Sequence, residues 1–122
     1  MSYQLSLLKI PVKSIINSIS FYTDVLGFTL EFQAEQYGWA QLSSGELNLA
    51  LYELNKGGGS RTIGGSIDFH LKLTDPDFTA LSNKVIDTES LVDNRVHVGN
   101  DGSTFFEVVD IDGNVLKIMK CN

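Results

Sequence analysis

SFYTDVLGF, Ser20 to Phe28, reads as the last turns of a helix, a stop, and the first residue of the next element. Ile15, Ile19 and Tyr22 fall at i, i+4 and i+7, which is one helical stripe. Ser14 suits the N-cap, and Gly27 suits the position where a helix ends in a left-handed residue. Upstream, Tyr3 to Val12 reads as a strand with Leu8, Ile10 and Val12 on one face. Downstream, three strands are expected at about Thr29 to Gln33, Gly38 to Leu42 and Leu47 to Tyr52. The turn SSGE between the last two suits a short hairpin.

NKGGGSRTIGG, Asn55 to Gly65, carries five glycines in eleven residues and reads as a linker or loop. The pattern then starts again. Ser66 to Leu73 is a strand with Phe69, Leu71 and Leu73 on one face. TDPDFTALSNKVI opens a helix with Asp75 as N-cap and Pro76 at the first helical position, and its stripe is Phe78, Leu81 and Val85. Strands follow at about Arg95 to Val98, Phe105 to Val109 and Val115 to Met119. The order β-α-β-β-β thus occurs twice, as a first module over residues 1–54, a glycine-rich linker over 55–65 and a second module over 66–122. Each half is small for an independent core, so the two are expected to form one α+β domain.

The chain has 122 residues, a hydrophobic fraction of 43% and a net charge of −6. The acidic balance argues against nucleic acid and favours a cationic small molecule over an anionic one. The single cysteine, Cys121, has no internal disulfide partner, and no cysteine cluster exists for zinc. No leader-like segment opens the chain, and no apolar run approaches a membrane span, so a cytoplasmic protein with no membrane partner is expected. GGGSRTIGG lacks the Lys-Ser/Thr ending of a phosphate loop, and it runs into a strand. No catalytic residue and no cofactor are assigned, although an acid/base role for His70 oriented by Asp68 is a rival reading.

IPVKSIINSISFYTDVLGFTLEF, and within it SFYTDVLGF, resembles the opening of the glyoxalase/bleomycin-resistance/extradiol-dioxygenase proteins, the vicinal oxygen chelate superfamily. VVDIDGNVLKIM, Val108 to Met119, resembles that family's penultimate turn leading into the last strand. The resemblance spans both halves. It implies two βαβββ modules, each curling a mixed sheet around half of a cavity. It also implies that the family's metal enzymes take their ligands from the first and last strands of each module. Carried over by position, those places hold Leu7, Leu49, Asp68 and Lys117. Leucine has no donor atom and a protonated lysine repels a metal ion, so no metal is expected. A weak site made of Asp68 and His70 is the metal-binding rival.

Asp68 and Lys117 are expected to form an ion pair where a metal would sit. Leu49, with Leu5, Leu47 and Leu51, is expected to make the first module's lining apolar. Trp39 and Tyr37 are candidate aromatic walls, and of Phe105 and Phe106 one is core and one faces the ligand, with Glu107 beside Phe105. The ligand-binding set is therefore Tyr37, Trp39, Leu49, Asp68, His70, Phe105, Glu107 and Lys117. The expected function is metal-independent binding of a small aromatic molecule of cationic character, with the resemblance to the bleomycin-resistance branch implying a homodimer. The alternatives are a divalent-metal lyase, isomerase or dioxygenase of the same superfamily, and an interaction module with a filled cavity. VVDIDGNVLKIM itself fails as a calcium loop, since an EF-hand counted from Asp110 would need its glycine at about position six and glutamate at about position twelve. Asp112, Gly113 and Asn114 read as a turn that aims the last strand.

Overall fold

A computed structural model of the chain describes residues 1–54, 56 and 70–121. It divides into two compact units, Met1–Gly65 and Ser66–Asn122. The first runs β1 (Leu8–Val12), α1 (Ile15–Ser20), β2 (Thr29–Ala34), β3 (Trp39–Ser44) and β4 (Leu47–Glu53). The second runs β5 (His70–Leu73), α2 (Asp77–Asp87), β6 (His97–Val98), β7 (Thr104–Val109) and β8 (Val115–Lys120). Each unit is therefore the expected βαβββ module, and the class is α+β.

The sheets have the same order, β1-β4-β3-β2 and β5-β8-β7-β6. In each, the first strand lies parallel to the last, and the other pairings are antiparallel. Parallel pairing demands a crossover, and the single helix of each module provides it.

Ser14 caps α1 as expected, its hydroxyl accepting the Asn17 N–H at 3.3 Å. Beyond Ser20 the helix widens into a π-type turn over Phe21–Val25, where the Leu26 N–H reaches the Phe21 carbonyl at 3.2 Å. The Thr23 hydroxyl donates to the Ile19 carbonyl at 2.8 Å and competes for an acceptor of the ordinary helical ladder. The extra residue per turn lets the adjacent rings of Phe21 and Tyr22 both be buried. Tyr22 packs against Phe28, whose backbone N–H bonds the Tyr22 carbonyl across Gly27. Gly27 ends the helix at φ 82°, a left-handed conformation that a side chain would strain.

Alternation along β4 puts Leu49, Leu51 and Glu53 on one face and Asn48, Ala50 and Tyr52 on the other. The Glu53 carboxylate accepts the Ile15 N–H at 2.9 Å, so α1 covers the Leu49 face. Ile10, Val12, Ala40, Leu42, Leu49 and Leu51 form the core there with Ile15 and Tyr22. In the second module Phe106, Val108, Leu116 and Ile118 are buried on the α2 side, where Phe106 meets Phe78 at 4.9 Å between ring centres.

Three local expectations need correction. β1 begins at Leu8, and residues 3–6 are exposed outside any strand. Helix α2 starts one residue later than Asp75 and Pro76 suggest. Pro76 is the N-cap, and the Asp75 carboxylate accepts the Thr79 hydroxyl at 2.7 Å. The strand around Arg95 shrinks to His97–Val98. In the β7–β8 turn the central acceptor is Asp110, which takes N–H bonds from Asp112 and Asn114 and an amide bond from Asn114.

Candidate functional site

The two sheets each have a face free of helix. In the first module this face carries Lys9 and Pro11 of β1, Ala50 and Tyr52 of β4, and Trp39 and Gln41 of β3. In the second it carries His70 and Lys72 of β5, Lys117 and Met119 of β8, Glu107 and Phe105 of β7, and His97 of β6.

The registers of the two modules superimpose row by row. Lys9, Ala50 and Gln41 stand side by side in one row of the first module. The matching row of the second is His70, Lys117 and Glu107. One row further lie Pro11, Tyr52 and Trp39, matched by Lys72, Met119 and Phe105. Each module thus sets an aromatic ring, Trp39 or Phe105, diagonally from a basic side chain.

Those diagonals are close contacts. Lys9 Nζ lies 4.9 Å from the Tyr52 ring centre and 5.8 Å from that of Trp39. Lys117 Nζ lies 4.1 Å from the Phe105 ring centre. An ammonium over an aromatic face is attracted by the ring quadrupole, by about 0.5–1 kcal/mol where water still has access. The His97 ring stacks on Phe105 at 5.3 Å with an interplanar angle of 15°. His97 Nε2 is in turn fixed by the Asp93 carboxylate. Partial burial pushes the Asp93 carboxyl up, but the His97 hydrogen bond and the charges of His97 and Arg95 outweigh it and leave it below its ordinary value. Asp101 is held below its ordinary value chiefly by the Ser103 hydroxyl at 2.7 Å, then by the Ser103 N–H, with Lys117 adding attraction.

Of the residues singled out from the sequence, His70, Phe105, Glu107 and Lys117 share the helix-free face of the second module, and Trp39 lies on that of the first. Phe106, by contrast, is core. Tyr37 is 61% exposed on the short helical turn before β3, off the strand face. Leu49 must be corrected: it lies on the α1 side of the sheet, as does Leu51, and both are core there, so these leucines do not line the helix-free face. The polar and aromatic Lys9, Tyr52 and Gln41 stand there instead. Asp68, its ion pair with Lys117, and nearly all of the Asn55–Gly65 loop lie outside the described residues. The sequence reading missed Lys9, Tyr52 and His97. Lys9 was findable, because it alternates with Leu8 and Ile10 and so must face away from the core.

The sequence pattern of the Glyoxalase/Bleomycin resistance protein/Dioxygenase superfamily matches residues 4–118. The chain belongs to that superfamily. Among solved structures of the fold, a virulence protein from Salmonella typhimurium is 22% identical with a TM-score of 0.76, covering 100% of this chain and 99% of that one. The lactoylglutathione lyase of Agrobacterium tumefaciens is 16% identical with a TM-score of 0.78, covering 98% and 95%. The bleomycin resistance determinant encoded on transposon Tn5 is 19% identical with a TM-score of 0.68, covering 97% and 98%. No curated protein matches the sequence.

The superfamily includes metal enzymes, so the donor set matters. The paired first and last strands offer Lys9 beside Ala50, and His70 beside Lys117. Taken module by module among the described residues, an ammonium beside a methyl group, or an imidazole beside an ammonium, does not fit a divalent ion. Among the described residues no three of His, Cys, Asp and Glu gather into a metal-binding group. Among them, too, no helix is long and apolar enough to cross a membrane.

Proposed function

We propose that this superfamily member binds a small aromatic organic molecule on the helix-free face of its second module and holds it without metal chemistry, as a cytoplasmic homodimer. The observation that carries the reading is Phe105. Its ring is stacked by His97 and approached by Lys117 on a face that no helix covers. A planar aromatic group is the natural further layer on such a stack. His70 and Glu107 supply hydrogen-bonding groups in the next row. Within the second module, His70 beside Lys117 supports binding in preference to metal-dependent lyase, isomerase or dioxygenase chemistry.

Thermal denaturation with a library of planar aromatic compounds tests this. A binder at about one hundred times its Kd stabilises the folded chain by about 2.7 kcal/mol. Phe105→Ala should abolish the response with the fold intact by circular dichroism. No stabilisation by any compound would sink the binding reading. Equilibrium dialysis against zinc, manganese and iron should leave less than one ion per chain, and stoichiometric retention would sink its metal-free part.

A further inference from the structure

The charge on this face points the other way from the charge on the whole chain. β5 and β8 bring His70, Lys72 and Lys117 together on it, and Glu107 is the one carboxylate that the four strands place there among the described residues. Lys117 is half-buried and forms no ion pair among the described residues, not even with Glu107, its direct cross-strand neighbour. Its ammonium group instead rests over Phe105 at 4.1 Å. The neighbouring carboxylates have other partners. Asp93 is bound to His97 and Arg95, and Asp101 bonds the Ser103 backbone N–H and hydroxyl.

The net charge of −6 is spread over the surface, and at physiological salt its influence is screened beyond about 8 Å. What a bound molecule feels is the local set. Among the described residues this half-buried ammonium over a ring, with an imidazole and a second ammonium on the same face, forms no ion pair and feels the attraction of Asp101, whose carboxylate is already bonded to Ser103. A planar arene stacked on Phe105 carries its ring substituents toward the next row, which is that of His70 and Lys117.

We propose that the ligand is an aromatic carboxylate, its ring layered on Phe105 and its carboxylate accepting hydrogen bonds from Lys117 Nζ and His70. This rests on the binding reading above and names the class of molecule that the site takes. It replaces the cationic ligand that the acidic composition suggests.

Three molecules of one shape separate the possibilities: 2-naphthoate, 2-naphthamide and 2-naphthamidine, titrated into the full chain by calorimetry at pH 7.5 and physiological salt. Naphthoate should bind at least about tenfold more tightly than the amidine, with the amide between them. Lys117→Met should remove that preference, and Lys117→Arg should keep it. Equal or tighter binding of the amidine overturns the carboxylate assignment and leaves aromatic binding standing. So does a preference that survives in Lys117→Met. If none of the three binds and no other arene does, the binding reading falls with it.

Discussion

Asp110 is only 5% exposed, yet it is a carboxylate. Donors from its own turn make this tolerable. Asp112 N–H at 2.9 Å, Asn114 N–H at 2.8 Å and Asn114 Nδ2 at 2.9 Å all point at it. Gly113 closes the turn at φ 85°, which a side chain would resist. Replacing Asp110 by alanine orphans these donors and should cost about 2–3 kcal/mol, read as a lower urea midpoint with an unchanged m-value. A loss below about 0.5 kcal/mol would mean that water replaces the carboxylate without penalty. The role of this turn was legible in the sequence, but its central residue was not. Aspartates at positions 110 and 112 both satisfy turn chemistry, and only the backbone path decides which one faces the donors.

At the scale of elements, the link between β4 and α1 runs through Glu53. The Ile15 N–H bond, and then Lys56 at 2.8 Å, hold the Glu53 carboxyl below its ordinary value. A carboxyl depressed in the folded state stabilises it at pH values above the unfolded pKa, about 4.3, and that contribution disappears as pH falls through the lower folded value. Glu53→Gln keeps an acceptor and loses the charge. It should be about 0.5–1 kcal/mol less stable at pH 7, with the gap closing between about pH 5 and 3. Urea titrations across that range check it, and a gap independent of pH would rule the charge out. The same strand shows why the candidate site was only half legible. LNLALY, Leu47 to Tyr52, is apolar at all but one position, so alternation does not choose its inward face. A slip of one residue exchanges Leu49 for Ala50, and with it the α1 side for the helix-free face. β8 gave no such trouble, because its lysine is flanked by Leu116 and Ile118.

For the molecule as a whole, the repeated βαβββ pattern was readable because strand period, helix period and glycine stops change over in the same order twice. The faces could be read only where polar residues interrupt the apolar ones. A homodimer remains part of the proposal. Light scattering at micromolar concentration should return twice the 13.4 kDa of the chain, and a monomer mass would remove it.

The strand order also bears on how the protein is made. In each unit the last strand to be synthesised, β4 or β8, is inserted between the first strand and the third. The central pairings therefore join residues far apart in sequence, such as Leu8 with Leu49 and His70 with Lys117. Such contacts pay a loop-closure cost before they return any energy, which slows folding. On the ribosome the first sheet cannot complete until Glu53 has emerged, nor the second until Lys120 has. A chain cut short before Val115 would lose an inner strand, not an edge, and leave β5 and β7 with bare backbone facing one another, a template for aggregation.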